Sequence, residues 1–115
     1  MMFDKTSVII NENPYYFAAY PPRIPLQKDA HISLKIKNTT NIPQTAQVQW
    51  KLYKWDSMGP DNLVREFTTT TKLKPNTSNS LQLTIPEKDA PVYYLVGTLT
   101  YKDTKSIVNL RFVRE

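Results

Sequence analysis

The sequence predicts an all-β protein, an antiparallel β-sandwich of about seven short strands. Apolar residues alternate with polar ones through most of the chain, which is the period of a strand that buries one face. Clusters of Pro, Asn, Asp and Ser separate these segments at nearly regular intervals. No segment has a convincing helical period. Short strands with regular turns favour a sandwich over a closed barrel.

Five segments carry the alternation. The clearest is residues 31–37, in which every second residue is apolar. The apolar positions of the five segments are Ile32, Leu34 and Ile36; Ala46, Val48, Trp50 and Leu52; Leu81, Leu83 and Ile85; Leu95, Gly97 and Leu99; and Val108, Leu110 and Phe112. Turn-forming residues occupy 38–43, 57–62, 74–77 and 86–91. Four consecutive threonines at 68–71 form a β-prone run.

The last two strands are predicted to form a hairpin with a tight turn centred on Asp103-Thr104. The predicted register pairs Leu99 with Val108, Gly97 with Leu110, and Leu95 with Phe112. Both apolar sets then lie on one face, an agreement that a shift by one residue would destroy. Asp-Thr is not the Asn-Gly pair that such turns favour.

The first thirty residues are less regular. Residues 8–10 are interpreted as a first strand, and residues 15–20 as a second strand or its continuation. Pro21, Pro22 and Pro25 exclude pairing in the middle of a sheet, because proline lacks the backbone N–H. We therefore expect an edge strand that crosses from one sheet to the other through a proline kink.

Length and composition predict a single domain over residues 1–115. A chain of 115 residues is close to the commonest domain size and can be stable without cross-links. The absence of cysteine excludes disulfides and thiolate metal sites, and two glycines are too few for a Gly-rich phosphate loop. Fifteen Lys and Arg against ten Asp and Glu give a net charge of +5, spread along the chain.

The beginning of the chain lacks the basic region and the apolar stretch of a signal peptide. No apolar run approaches the roughly 18 residues that a membrane-spanning helix needs. We therefore expect no membrane insertion. The expected location is the cytoplasm or an assembled particle, unless the chain is excised from a secreted protein.

Several segments together resemble an immunoglobulin-like module of the bacterial kind. They are residues 32–38 followed by Thr39-Thr40, the tryptophan strand at 48–53, Leu73-Lys74-Pro75 before 81–85, and residues 93–101. The pattern is similar to the cell-adhesion-related domains of bacterial surface proteins and more loosely to fibronectin type III domains. It resembles less closely the small intracellular proteinase inhibitors of bacilli. The resemblance covers about residues 30–114 and carries over no functional residue, since these families share a fold and not a site.

The resemblance implies roles for a few residues of the core. Trp50 takes the place of the core tryptophan, and Gly97 leaves the space that its indole fills. Tyr93 or Tyr94 is expected to act as a tyrosine corner, with its hydroxyl bonded to the backbone upstream. No disulfide flanks the tryptophan, so apolar packing alone must hold the two sheets together.

Candidate catalytic and metal-binding groups are scarce. His31 is the only histidine and stands out of phase with the buried set, which excludes a multi-histidine metal site. No nucleophile motif accompanies it. Asp56 and Asp61 flank a loop that offers carbonyls to calcium, but such sites usually gather more carboxylates. We therefore expect a non-enzymatic protein with no catalytic residue, no metal and no cofactor.

Two kinds of short motif have ordinary structural explanations. The P-x-x-P spacing at 21–25 suits a polyproline II ligand, yet a kinked crossover between sheets explains it better. Asn38-Thr39-Thr40 and Asn76-Thr77-Ser78 match the glycosylation pattern, which Asn-Thr turns also produce.

The sequence contains a possible basis for nucleic-acid binding, but this function is not expected. Its basis is a set of cations and aromatic residues that would stack bases: Lys35 and Lys37 on one strand, and Lys51, Tyr53 and Trp55 on another. A sandwich places these two strands in opposite sheets, which divides the set.

The predicted sheet that contains the tryptophan strand and the final hairpin has an apolar outer face. An outer face is ordinarily rich in charge, whereas aromatic and β-branched residues dominate here. We define the outer patch as seven residues: Tyr53, Trp55, Tyr94, Val96, Ile107, Arg111 and Val113. This composition is typical of a protein interface, although β-propensity alone also favours such residues on exposed strands. We expect Trp55 and Tyr94 to be exposed in the isolated chain and covered in its assembly.

The sequence therefore predicts a protein-binding or assembly module, such as a structural subunit of a larger particle, filament or surface array. The expected partner is a protein, which includes a second copy of the chain in a homo-oligomer. Two alternatives stay open. A proteinase inhibitor would insert an exposed loop, 57–62 or 40–44, into a protease. A carbohydrate-binding module would use Tyr53 and Trp55 as a stacking platform.

Overall fold

The computed structural model describes residues 1–15, 23–26, 28–55 and 59–114. These ranges contain nine strands and one short 3-10 turn at Pro60–Asn62. The strands are β1 (Met2–Ile10), β2 (Asn13–Tyr15), β3 (Arg23–Leu26), β4 (Ala30–Lys37), β5 (Gln44–Lys54), β6 (Leu63–Leu73), β7 (Ser78–Ile85), β8 (Val92–Tyr101) and β9 (Thr104–Arg114). Seven of them have eight or more residues, which confirms the all-β prediction of about seven strands. None of the described residues belongs to a helix long and apolar enough to cross a membrane.

The strands form two sheets that pack as a sandwich. The first sheet has the order β2-β1-β4-β7, and the second has the order β3-β9-β8-β5-β6. All described pairings are antiparallel except that of β3 with β9, which is parallel. The tryptophan strand β5 and the hairpin β8–β9 share a sheet, as predicted. This is an immunoglobulin-like arrangement, with three long strands facing four.

The N-terminal strand is longer and more central than expected. β1 begins at Met2 and lies between β2 and β4, with an irregular register between Asp4 and Val8. A two-residue turn joins it to β2, and both turn residues, Asn11 and Glu12, have positive φ (50° and 73°). Two positive φ values are the mark of the primed turn that suits a two-residue hairpin.

The chain passes from the first sheet at β2 to the second at β3 and returns to the first at β4. β2 is an edge strand of the first sheet, and β3, which contains Pro25, is an edge strand of the second. An edge position tolerates proline because one side of the strand needs no hydrogen bond. The expected continuation of the second strand to residue 20, together with Pro21 and Pro22, lies outside the described residues.

The predicted register of the final hairpin is wrong by two residues. Gly97 pairs with Val108 and Leu95 with Leu110, around a turn formed by Lys102 and Asp103. A shift by two keeps every side chain on its predicted face, so alternation alone cannot detect it. Turn chemistry decides instead: Lys102 adopts a φ of 54°, and the Thr104 hydroxyl donates a hydrogen bond to the Tyr101 carbonyl at 2.8 Å.

Trp50 lies at the centre of the core, opposite Gly97 on the neighbouring strand. The indole is completely buried, and its N–H donates to the Thr69 hydroxyl at 2.9 Å. A Cβ on Gly97 would lie 2.7 Å from two ring carbons of Trp50 and closer still to a third. The prediction that Gly97 leaves space for the indole is therefore confirmed. The Phe67 ring stacks on the indole with 6.3 Å between the ring centroids. The ring of Phe3, on the other sheet, lies tilted against it with 6.2 Å between the centroids.

Tyr93 is the residue that forms the predicted tyrosine corner. Its side chain is buried, and its hydroxyl accepts a hydrogen bond from the Ala90 N–H at 2.9 Å. The Arg114 guanidinium lies 6.0 Å from the Tyr93 ring and donates to the carbonyls of Glu87 and Ile85. These contacts tie the segment between β7 and β8 to the last strand.

A surface ion pair lies beside the same segment. The Lys88 ammonium is 2.6 Å from the Asp29 carboxylate. This hydrogen bond, more than any other interaction, lowers the pKa of Asp29 below its ordinary value of 3.8. Because both groups are exposed, the pair contributes little to stability.

Asn38 is a buried polar residue that fixes the loop after β4. Its amide nitrogen donates to the carbonyls of Ile42 and Lys74, and its amide oxygen accepts from the N–H and hydroxyl of Thr40. Only 2% of Asn38 is exposed. Its role is therefore structural, and attachment of a glycan to this nitrogen would require the loop to unfold.

Candidate protein-binding surface

The second sheet gathers the predicted outer patch. Six of its seven members stand at strand positions that alternate with buried core residues, and Trp55 follows directly after β5. The register places Tyr53, Tyr94 and Arg111 in one row across β5, β8 and β9. Neighbouring rows contain Val96 and Val113. These three rows form one surface across the three strands, and Ile107 lies one row further along, opposite Thr98.

The members of the patch differ in exposure. Trp55 and Ile107 expose 56% and 42% of their surface, respectively. Tyr94, Val96, Arg111 and Val113 are half-buried. The expectation of an exposed Tyr94 therefore holds only in part.

Tyr53 is a correction to the predicted exposed set. It exposes only 8% of its surface, although it lies outside the core cluster between the sheets. Its direct cross-strand neighbours are Tyr94 on one side and Leu63 on the other. Large side chains at directly opposed positions are close enough to cover one another. Tyr53 is thus covered by its neighbours on the outer face and presents little surface to a partner.

Trp55 adopts an unusual backbone conformation. Its φ is 67°, in the left-handed region that bulky residues rarely occupy. Such a conformation costs about 1–3 kcal/mol and persists only where the surroundings enforce it. One enforcing contact is the hydrogen bond from the Trp55 N–H to the Val92 carbonyl at 2.9 Å. The result is an indole held at the surface at the end of β5.

The structure adds two residues that the sequence analysis missed. Leu63 and Val64, at the start of β6, expose 38% and 42% of their surface. The register advances by an extra residue here, since Leu52 pairs with Arg65 but Tyr53 pairs with Leu63. The bulge interrupts the period of two at the start of β6, and further along the half-buried positions Arg65, Thr69 and Thr71 are polar, so the sequence shows no apolar alternation. The available signal was the apolar Leu63-Val64 pair directly after a turn.

A shallow cavity of about 230 Å³ lies beside Trp55. Its lining residues are Lys54, Trp55, Val64, Asp89, Ala90 and Tyr93. Apolar side chains form much of this lining, with Lys54 and Asp89 supplying opposite charges. The cavity therefore extends the apolar surface around Trp55 beyond the end of β5.

The other half of the same outer face is polar. A cavity of about 310 Å³ is lined there by Gln47, Gln49, Thr68, Thr98 and Thr100. The sheet thus carries an apolar half near Trp55 and an amide- and hydroxyl-rich half at its opposite end, with Ile107 at the boundary beside Thr98. A partner that binds by burying apolar surface would occupy the first half.

The structure also locates the histidine, the acidic residues and the lysines that bear on catalysis, metal binding and nucleic-acid binding. His31 is exposed, and its Nδ1 lies 3.3 Å from the Thr84 hydroxyl. Within the described ranges no three His, Asp or Glu side chains cluster as metal ligands would, and Asp56 lies outside those ranges. Lys35 and Lys37 belong to the first sheet and Lys51 to the second, which confirms that the basic set is divided.

Comparisons with known proteins give a likeness of fold alone. No family model matches the chain, and no curated protein matches it. Solved structures that match include a β-glucuronidase of Bacteroides uniformis, at a TM-score of 0.56 and 17% identity over 93% of this chain. The covalent complex of Bacteroides uniformis β-glucuronidase 2 with cyclophellitol-6-carboxylate aziridine matches with the same values. A calcium-binding mutant of that enzyme matches at a TM-score of 0.56 and 16% identity over 96% of this chain. In each case the chain covers only 13% of the longer protein.

Proposed function

We propose that this protein is a non-enzymatic binding module that docks on a protein partner through the outer patch, extended by Leu63 and Val64. The observation that carries the proposal is the conformation of Trp55. A tryptophan in the left-handed region with 56% of its surface exposed opposes both backbone preference and apolar burial. A conformation that is costly in the isolated chain is expected where it serves contact with another molecule.

The composition of the surface supports a protein as the partner. Aromatic and arginine side chains are enriched at protein interfaces, and tryptophan, tyrosine and arginine dominate the energetic hot spots. Tyr94 and Arg111 lie side by side on one sheet face, and Trp55 follows directly after the neighbouring strand β5. Half-buried valines between them add apolar surface without mobile side chains.

The matched enzymes support the idea of a module only at the level of fold. In those β-glucuronidases a sandwich of this shape accounts for 13% of a longer chain. We infer that this chain serves likewise as a bacterial immunoglobulin-like unit, similar to fibronectin type III domains, in a larger assembly. This inference comes from analogy of fold and not from a shared site.

A pair of matched substitutions tests the docking face. Ile107 on the outer face of the second sheet and Ile9 on the first sheet are both 42% exposed. Ile107→Ser and Trp55→Ala are expected to weaken binding, whereas Ile9→Ser leaves it unchanged. Binding is measured by affinity capture from extracts of the producing cells, followed by titration of each captured protein against the purified variants.

The two tryptophans provide a second measurement on the same proteins. Trp50 is completely buried, so acrylamide quenching of fluorescence reports mainly on Trp55. Quenching should fall when the partner binds and should be small throughout in Trp55→Phe. Equal binding by wild type, Trp55→Ala and Ile107→Ser, or equal loss in Ile9→Ser, would contradict the proposal.

A proteinase inhibitor remains the second candidate because of the loop at 40–44. Ile42 is 59% exposed, and its carbonyl accepts a hydrogen bond from the side-chain amide of the buried Asn38. A loop fixed before binding loses less conformational entropy in a protease cleft. Inhibition of a subtilisin-type protease that Ile42→Glu abolishes and Trp55→Ala preserves would favour this function over docking through the patch.

Carbohydrate binding is supported less well. Its proposed platform paired Tyr53 with Trp55, and Tyr53 is covered by its neighbours. A single exposed indole offers one stacking surface. Binding of the wild-type protein on a glycan array, abolished by Trp55→Ala, would favour the carbohydrate-binding function.

A further inference from the structure

Within the part of the chain that the structure describes, β6 is a long edge strand, and no other strand of its sheet lies on its outer side. It spans eleven residues without proline or glycine and pairs with β5 alone. The opposite edge of the same sheet, β3, has four residues and contains proline. Long edges without proline or a covering segment are templates for pairing with another strand. β6 carries in addition the β-prone threonines at 68–71.

One hydrogen bond shows which backbone groups of β6 point away from β5. The Asn79 side chain, on β7 of the other sheet, donates to the Lys72 carbonyl at 3.3 Å. The N–H and C=O of successive strand residues point to alternate sides. Because the register between Leu73 and Arg65 is regular, the backbone groups of Thr70, Thr68 and Glu66 point to the free edge as well.

The sequence of β6 is complementary to itself in the antiparallel direction. With Thr69 at the centre, Glu66 lies opposite Lys72 of a second copy, and Thr68 lies opposite Thr70. All four residues are exposed and share one face of the sheet. The same four residues carry the edge-directed backbone groups, so each Thr68–Thr70 pair can exchange two hydrogen bonds, while the Lys72 carbonyl already accepts one from Asn79. Opposite charges and paired threonines at such positions stabilise a sheet.

Neighbouring symmetric registers lack this match. If the two-fold axis lay at Thr68, Glu66 would face Thr70 of the second copy. If the axis lay at Thr70, Lys72 would face Thr68 of the second copy. Only the register centred on Thr69 joins the carboxylate to the ammonium, and the two-fold symmetry produces that pair twice.

We propose that two copies of this protein associate edge to edge through antiparallel β6 strands, with the two-fold axis at Thr69, to form a continuous ten-stranded sheet. Both outer patches then lie on the same side of the extended sheet. Such a dimer presents two docking surfaces at once, which raises avidity for a partner that has two sites. This inference concerns the strand edge and does not depend on the function proposed for the patch.

Charge reversal tests the register directly. Glu66→Lys puts two lysines opposite each other at both ends of the interface, and Lys72→Glu does the same with two glutamates. Each variant alone is expected to dimerise at least about tenfold more weakly than wild type, since two attractive pairs become repulsive. An equimolar mixture of the two variants restores attraction at both ends and should dimerise at least as well as wild type. Sedimentation velocity from micromolar to millimolar concentration measures each case.

Two controls carry the same changes of net charge away from the edge. Asp103→Lys matches Glu66→Lys, and Lys35→Glu on the first sheet matches Lys72→Glu; both residues are exposed. These controls should dimerise as wild type does. In the wild-type dimer, hydrogen exchange of the Thr68 and Thr70 amides should slow with rising concentration.

Three results would overturn the proposal. Wild type could stay monomeric throughout the concentration range. The two charge-reversal variants could dimerise like their controls, or their mixture no better than either alone. Trp55→Ala could abolish the dimer while Glu66→Lys preserves it, which would assign self-association to the patch.

Discussion

The two tryptophans lie five positions apart, Trp50 within β5 and Trp55 directly after it, and have opposite environments. Trp50 is completely buried against Gly97 and bonded to Thr69, whereas Trp55 exposes more than half of its surface. Trp50 has its N–H satisfied and its ring contacted from both sheets. Trp55 instead occupies a left-handed conformation beside an open cavity. The first is thus expected to stabilise the fold, and the second to serve contact with other molecules.

The sharpest test of this comparison is truncation of each tryptophan in turn. Trp50→Ala should lower the free energy of unfolding by about 3–5 kcal/mol, because it removes a large ring and leaves a cavity. Trp55→Ala should change it by less than about 1 kcal/mol, as expected for an exposed position. Urea unfolding followed by circular dichroism measures both. Similar losses for the two variants would mean that Trp55 is a structural residue.

A smaller effect is expected when the space beside Trp50 is filled. Gly97→Ala should destabilise by about 1–3 kcal/mol, since the added methyl group overlaps the indole and the strands must shift. Gly59→Ala is the matched control, because Gly59 has a φ of −65° that alanine adopts readily. Thermal unfolding by calorimetry distinguishes them. Equal melting temperatures would show that the Trp50 side chain moves aside at little cost.

The smallest effect concerns the hydrogen bond of the buried indole. Thr69→Val leaves the shape nearly unchanged but removes the acceptor for the Trp50 N–H, which should cost about 1–2 kcal/mol. Thr68→Val, one residue away on the outer face, should stay within about 0.5 kcal/mol of wild type. Urea midpoints give the difference. If Thr68→Val is the more destabilising variant, the assignment of faces on β6 is wrong.

The sequence was a good guide to which way side chains point. Trp50, Gly97 and Leu95 were predicted to face inward from the period of two, and all three are buried. Burial of one face of a strand directly imposes that period, so the signal survives without knowledge of the partner strand. The pairing of Trp50 with Gly97 followed from the resemblance to immunoglobulin-like modules and is confirmed.

The sequence was a weaker guide to which residues lie opposite each other. The hairpin register was wrong by two because a shift of two keeps all faces, and only the conformation of Lys102 fixes the turn. Tyr53 was predicted to lie on an exposed face, but Leu63 of a bulged neighbouring strand helps to cover it. A bulge follows from contacts across strands and leaves little trace in either strand alone.

By itself the sequence determined the all-β class, the inward faces of the long strands and the edge position of the strand that contains Pro25. These features depend on local properties: alternation of polarity, the missing N–H of proline and the turn preference of Asn and Asp. Tertiary structure decided the register of the hairpin, the burial of Tyr53, the left-handed conformation of Trp55 and the edge position of β6. Each of these depends on which strands become neighbours, and residues far apart in the chain settle that choice together.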